Sequence, residues 1–362
     1  MRPAALMKTL VVAGVGLIGG SIGLGARQRF LAERVVGLDP DPTVLEAALG
    51  MGVIDEAQLS PGPWLAEAEL VVLASPARTL VENARTLEPH LSTHTVVTDV
   101  GGVKQEVVAA LGHLRFVGGH PMAGSEKIGV VHADASLLEN AVWVLTPTPE
   151  TDADALAKTR RFVEHLGAHP IEIDPARHDR LVAAVSHTPY LTALALTHFV
   201  ANSEDRDKLM LLAAGGFRDL TRVASGSPRM SRDMVVGNKA AVKEALAGLR
   251  RELERLEGLL DDPEGLLAEA EAAKRSRDSI PIVRRSLIPA RFEVVVAVPD
   301  RPGELARITK ALGDAEVNIK DIEVLSIREA GGAIRLVFAS DDELETATRA
   351  LTVAGYEARR RG

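Results

Sequence analysis

The segment Thr9–Gly23, "TLVVAGVGLIGGSIG", constrains the fold more than any other stretch of the chain. A short apolar run enters Gly14, Gly16 and Gly19, and an apolar segment of small residues follows, which reads as strand, tight turn and helix. In that spacing Gly14 permits the turn, Gly16 lets the main chain approach a pyrophosphate, and Gly19 lets the helix pack closely on the strand. The helix N-terminus then offers unpaired N–H groups and a partial positive charge to an anion. Such a motif is weak alone, and its context is what gives it weight. The next strand, "RVVGLD", ends at Asp39, twenty residues after Gly19. A carboxylate there accepts both ribose hydroxyls of an adenosine and repels a 2′-phosphate. Asp41 adds to the repulsion with no Arg beside it. The expected cofactor is NAD, held by Gly14, Val15, Gly16, Leu17, Ile18, Gly19 and Asp39.

Residues 1–174 continue the same alternation. The runs "LVVLAS", "TVVTDV", "RFVGG", "AVWVLTP" and "HPIEID" are separated by helical stretches. Near-continuous apolar strands between helices predict a Rossmann-type α/β domain, with a parallel sheet covered on both faces. From 175 to 274 the β-branched runs vanish and an all-α substrate and dimerisation region is expected. Leu246, Leu249, Leu253, Leu256 and Leu260 recur at three- and four-residue spacing there. A long amphipathic helix needs a partner face, from the same chain or from a second subunit; a homodimer is favoured because symmetric dimers are the commonest oligomers. Residues 275–291, with two prolines and a basic run, read as a linker. Residues 292–362 then reset the pattern to β-α-β-β-α-β, a ferredoxin-like small domain with a hairpin turn at Gly331-Gly332.

Composition removes several function classes. The net charge of -8 and aromatic content of 3% lack the basic, stacking surface that nucleic acids require. The absence of cysteine excludes disulfides, thiolate metal sites and Cys nucleophiles, and no metal is expected. Leu181–Ala201 is nearly uncharged, but two histidines, three threonines and Pro189 inside it favour a buried helix over a membrane span. Met1–Thr9 lacks a signal-peptide pattern, so a cytoplasmic protein is expected.

Ligands of open α/β sheets bind beyond the carboxyl ends of the strands. Just past those ends stand Ser75-Pro76, then "DVGGVK" (99–104), which contains Gly102, then "GGHPMAGSEKIG" (118–129). His120 is the single histidine among them. A neutral imidazole there takes a proton from a hydroxyl as hydride leaves the same carbon; alternatively it is a turn residue bonding the backbone before Pro121. In the helical region His187 lies in "SHTPY", and Arg218, Arg222 and Arg232 fall in one short stretch. Paired N–H donors suit carboxylate recognition, although Asp219 and Asp233 are equally available partners.

The motifs "GVGLIGGS", "DVGGVK", "GGHPMAGSEKIG", "SHTPY", "GGFRDLTRVASGSPRMSRD" and "NK", in this order, resemble the prephenate dehydrogenase family, over Lys8 to about Leu260. The tail "VPDRPGELARITKALGDAEVNIKDIEVL" resembles an ACT domain. The resemblance implies NAD-dependent oxidative decarboxylation of prephenate to 4-hydroxyphenylpyruvate, in tyrosine biosynthesis. It implies His120 as base, Arg222 on a substrate carboxylate, His187 at the substrate's other end, and Glu126 at the mouth, with Ser75, Pro76 and Gly102 beside the cofactor. In the tail it implies an amino-acid effector, tyrosine, near Asp300, Gly303, Asn318 and Ile319. Three positions depart from the family pattern: Gly102 where Ser is frequent, Tyr190 where His is frequent, and Ser231 where Trp is common. Arogenate as substrate, a 2-hydroxy-acid dehydrogenase, and an NAD-responsive sensor without catalysis are the competing readings.

Overall fold

The computed structural model describes residues 5–124, 127–280, 292–299, 301–328 and 331–361. They fall in two units that divide between Pro281 and Ile282.

The first unit opens with β1 (Met7–Ala13), α1 (Leu17–Gln28), β2 (Ala32–Leu38), α2 (Pro42–Gly50) and the short edge strand β3 (Glu56–Gln58). It continues through β4 (Leu70–Leu73), α3 (Ala77–Leu87), β5 (Val96–Asp99), α4 (Gln105–Leu111), β6 (Phe116–Pro121), β7 (Val142–Thr146), α5 (Ala153–His165) and β8 (His169–Glu172). All seven apolar runs form strands. The sequence "EAQ" of β3 carries no β-branched residue, and only its pairing with β2 makes it a strand. The sheet order is β3-β2-β1-β4-β5-β6-β7-β8. Alternate residues supply two cores: Leu10, Val12, Val35 and Val72 face one side, while Val11, Val36, Val71 and Val97 face the other. Each such buried side chain contributes roughly 1.5–3 kcal/mol, so both helical layers are firmly held.

The expectation of an all-parallel sheet needs correction. β6 and β7 pair antiparallel, and β8 then runs parallel to β7. A parallel neighbour requires a crossover, usually a helix. The described part of the β6–β7 connection holds only one 3-10 turn, Val130–His132, and the chain returns along the same edge.

Next come α6 (Pro175–Val182), one π turn (Ala183–His187) and α7 (Thr188–Ala201), so Leu181–Ala201 is wholly helical. Asp174 caps α6 by accepting from the Arg177 N–H at 2.9 Å. Among the described residues no helix is long and apolar enough to cross a membrane. The region is completed by α8 (Arg206–Leu212), α9 (Gly215–Thr221), a 3-10 turn (Arg222–Ser225), α10 (Pro228–Gly237), α11 (Lys239–Glu257) and α12 (Pro263–Asp278). α12 runs into the expected linker: the Lys274–Asp278 ion pair has i,i+4 spacing, and Arg275 and Arg277 favour the helix C-terminus. The rest of that linker, 281–291, lies outside the described residues.

The second unit comprises β9 (Glu293–Val298), α13 (Glu304–Asp314), β10 (Asp321–Arg328), β11 (Gly331–Val337), α14 (Asp341–Val353) and β12 (Ala358–Arg361). Its antiparallel order, β10-β11-β9-β12, is that of the expected ferredoxin-like domain. Gly331 pairs with Arg328 and Gly332 with Ile327, so the two glycines begin β11 and are not the turn. The two residues between Arg328 and Gly331 lie outside the described set. Arg335, 3% exposed, is satisfied by Glu293, Asp321 and Glu323.

Candidate active site

The carboxyl ends of β1, β2, β4, β5 and β6 form the rim that carries the site. Gly14 has φ +100°, and a Cβ there would lie 2.7 Å from the main chain of Ala74. A Cβ on Gly19 would stand 2.0 Å from the Gly14 carbonyl oxygen, so α1 seats against the loop only because residue 19 is glycine. A Cβ built on Gly16 would meet nothing within 4 Å. Gly16 is the N-cap of α1 and provides no side-chain cap, so the first N–H groups of the helix face an open approach. Asp39 braces this loop: its carboxylate accepts from the Val15 N–H at 3.0 Å and from the Asp41 N–H at 3.0 Å. Asp41 itself caps α2, and hydrogen bonds from Thr43 hold its carboxyl below the usual range. At the end of β4 the Ser75 hydroxyl is buried without a hydrogen-bond partner, beside Pro76, the N-cap of α3. An open helix N-terminus, a braced carboxylate and an orphaned hydroxyl along one rim fit a dinucleotide.

The second half of the rim is built on Asp99. Its carboxylate accepts from the Gly101 N–H at 2.8 Å and the Gly119 N–H at 2.9 Å, and it forms a fully buried ion pair with Lys104. Burial pushes the Lys104 ammonium down, against the opposing pull of Asp99. The Asp99 network ties the "DVGGVK" loop to β6 and so fixes Gly102 beside His120. A Cβ on Gly102 would lie 3.7 Å from His120 Nε2 and 3.8 Å from Cε1, an ordinary contact that the glycine leaves empty.

His120 belongs to β6, and among the described residues its ring bonds another side chain and no turn backbone. Its Nδ1 lies 2.9 Å from Nε2 of His178, with the two rings edge-on at 73°. His178 Nδ1 lies 2.9 Å from Asp179 Oδ1. Asp179 also accepts from the Lys104 N–H at 2.8 Å and the Gln105 N–H at 2.9 Å. Burial raises the Asp179 carboxyl, but those hydrogen bonds, from His178 first, outweigh it and hold it below the usual range. Burial pushes His120 down to about 3, helped by the positive charge of Lys104 and then by His178 and His187. The ring is therefore neutral at neutral pH.

His187, 1% exposed, closes the π turn, a helical irregularity that recurs at functional sites. Burial pushes it down to about 4 against the pull of Asp179. Its Nδ1 lies 3.3 Å from Nδ2 of Asn238, which also donates to the Asp179 carbonyl oxygen at 2.7 Å. Beside it the Thr188 hydroxyl is buried without a partner.

Of the residues singled out in the sequence, His120, His187 and Gly102 come into this network, and Gly14, Gly16, Gly19, Asp39 and Ser75 share the rim. Arg222 does not join them. It starts the 3-10 turn that packs on α7, is exposed, and like Arg218 forms no ion pair among the described residues. Arg232 instead binds Asp233 at 2.6 Å. Glu126 lies outside the described residues, as does Asp300 of the second unit. There Gly303 has φ +88° and is the N-cap of α13, Asn318 is exposed, and Ile319 packs on the core. Sequence reasoning missed His178, Asp179, Asn238, Lys104 and Asp99 as parts of the site. The adjacent His178-Asp179 pair just inside α6 was the one available signal.

Residues 22–172 match the family model of the prephenate dehydrogenase nucleotide-binding domain, 174–268 that of its dimerization domain, and 292–355 that of the ACT domain. The chain is 36% identical to the prephenate dehydrogenase of Bacillus subtilis (strain 168), over 96% of this chain and 97% of that one. It is 30% identical to the prephenate dehydrogenase of Lactococcus lactis, over 94% and 96%. Among solved structures it resembles the prephenate dehydrogenase of A. aeolicus in complex with hydroxyphenyl propionate and NAD+, with TM-score 0.73 and 34% identity over 76% of this chain and 99% of that one. It also resembles Synechocystis arogenate dehydrogenase, with TM-score 0.68 and 34% identity over 75% and 99%. By identity sustained along nearly its whole length, the chain belongs to the prephenate dehydrogenase family.

Proposed function

We propose that this chain is an NAD-dependent prephenate dehydrogenase that converts prephenate oxidatively to 4-hydroxyphenylpyruvate and carbon dioxide. The observation that carries the reading is a neutral His120 at the end of β6, with its Nε2 beside the empty side of Gly102. The relatives named prephenate dehydrogenase, and the neighbour solved with NAD+, support it.

The Gly14–Gly19 loop and the N-terminus of α1 suit the pyrophosphate, Asp39 the adenosine ribose, and Ser75, Pro76 and Gly102 the nicotinamide end. Bound there, NAD supplies the acceptor for the hydride that leaves the hydroxyl-bearing ring carbon. His120 accepts a hydrogen bond from the ring hydroxyl and takes up its proton as positive character builds on that carbon. As the bond between ring and carboxylate breaks, its electron pair completes the aromatic ring, and the proton on His120 returns to the product oxygen. No proton is gained or lost overall. Arg222, without an ion pair among the described residues, serves a substrate carboxylate, His187 the other end of the substrate, and Glu126 the mouth.

Two further statements belong to this reading. The chain works as a homodimer through its helical region, where Phe199, Leu211, Leu212, Leu220, Leu253 and Leu260 are exposed. Tyrosine binds the second unit near Asp300, Gly303, Asn318 and Ile319 and inhibits the enzyme.

The test is NADH absorbance at saturating NAD, with prephenate and arogenate supplied in parallel. Rapid reduction with prephenate is expected, and His120→Asn should abolish it while leaving NAD binding intact. A preference for arogenate overturns the substrate; no reduction with either, despite NAD binding, overturns the enzyme in favour of a sensor or another hydroxy acid.

A further inference from the structure

Two acceptors of residue 179, its carboxylate and its main-chain carbonyl, have roles around the site histidines that chemistry alone settles. A carboxylate only accepts, so the 2.9 Å contact between His178 Nδ1 and Asp179 Oδ1 places a proton on His178 Nδ1. A His178 carrying that single proton presents a lone pair at Nε2. The 2.9 Å contact to His120 Nδ1 then requires the proton on His120 Nδ1, which leaves His120 Nε2 bare on the Gly102 side. The second ring is fixed by a main-chain carbonyl. A carbonyl oxygen also only accepts, so the 2.7 Å contact between Asn238 and the Asp179 oxygen sets the orientation of the Asn238 amide. Its remaining N–H points to His187 Nδ1 at 3.3 Å, and His187 must carry its own proton on Nε2.

We infer that His178, Asp179 and Asn238 are positioning residues that lock His120 and His187 in opposite tautomers, an acceptor at His120 Nε2 and a donor at His187 Nε2. Residue 179 serves both rings, through its side chain on one path and its carbonyl on the other. Its carboxylate is itself held by the first two N–H groups of the α4 end, Lys104 and Gln105, so the chain is anchored in the same segment that sets Gly102. The consequence for the reaction rests on the dehydrogenase reading: one ring is ready to receive a hydroxyl proton, and the other to donate to a carboxylate or keto oxygen. The low basicity of both rings, which keeps each singly protonated, supports the assignment.

The direct test is long-range 1H–15N correlation on the full chain labelled with 15N-histidine at neutral pH, with signals assigned through His120→Asn and His187→Asn. The expected result is a protonated Nδ1 on His120 and a protonated Nε2 on His187. A protonated Nε2 on His120, as a doubly protonated His178 would produce, overturns the inference. This readout needs no turnover, so it stands or falls separately from the assignment of substrate. The kinetic arm uses His178→Phe, which removes the acceptor, and His178→Gln, whose side-chain carbonyl restores one. The Phe variant should lose about 100-fold in kcat with prephenate at unchanged NAD affinity, and the Gln variant should recover most of it. Equal losses in the two variants, or a loss confined to KM, overturn the positioning role.

Discussion

The sheet half and the helical half of the first unit differ in how far each completes itself. In the sheet, strand side chains on both faces are buried under helices of the same chain. In the helical half, α8 and α9 bury no residue, and Leu211, Phe199 and Leu212 stand 85%, 77% and 75% exposed. α7 carries no Asp, Glu, Lys or Arg, yet it too keeps much of its surface outside, with Phe199 in the open. The sheet half is thus a finished core. The helical half leaves apolar surface uncovered, and the site lies where the two halves meet, with His120 from the sheet and His178, His187 and Asn238 from the helices.

If the sheet half is finished, breaking its buried polar joint should cost most. Asp99→Ala leaves Lys104 buried without its carboxylate and frees the Gly101 and Gly119 N–H groups. A loss of about 3–5 kcal/mol is expected in chemical denaturation. A loss below about 1 kcal/mol would mean that this joint does not hold the rim.

Acid probes the meeting line between the halves. His120 and His187 are held neutral, with folded values near 3 and 4 against an ordinary 6.5. A depressed histidine leaves the unfolded chain binding more protons, so stability is full above about pH 6.5 and falls as pH drops toward the folded values. The two rings together should remove roughly several kcal/mol across that window. Asp179 and the other depressed carboxyls begin to cost stability only below about pH 4.5, so the histidine contribution stands alone above that pH and overlaps theirs beneath it. Denaturant midpoints measured along the pH series check this, and His120→Asn should flatten the slope between about pH 6.5 and pH 4.

Gly19→Val tests the packing of α1. The new Cβ meets the Gly14 carbonyl at 2.0 Å, main chain that cannot turn aside, and a cost of about 1–3 kcal/mol with loss of NAD binding is expected. Gly16→Ala is the control, since nothing lies within 4 Å: its fold should be unchanged and its NAD affinity reduced. Equal stability of the two variants would show that the loop yields.

These contrasts also explain what could be read in the sequence. The glycine loop, the seven apolar strands and the β-α-β-β-α-β tail are local patterns, and local patterns survive in a linear string. The direction of β7 does not, because an apolar run such as "VWVLT" looks the same whichever way it pairs. The Gly331-Gly332 pair carried the right chemistry for a turn, but the strand register places both glycines inside β11. The histidine relay was illegible for a different reason. His120 and His178 are 58 residues apart, in elements of different type, and only the tertiary fold, with α6 packed on α4, brings their rings together. His178 read alone is one more polar residue of an amphipathic helix.

The helical half gives the smallest effect on the isolated fold and the clearest effect on assembly. Phe199 and Leu211 are exposed, so replacing each with Asp removes little buried surface from the chain that carries it. Monomer stability should change within about 0.5 kcal/mol for each substitution. If a second copy covers this face, the same change buries a charge against an apolar surface, and sedimentation should show the Phe199→Asp, Leu211→Asp chain as a monomer at concentrations where the parent is a dimer. A parent that is already monomeric, or a variant that stays dimeric, would break the contrast drawn between the halves. In the first outcome the exposed apolar surface would need some other cover, and in the second the dimer would be built elsewhere on the chain.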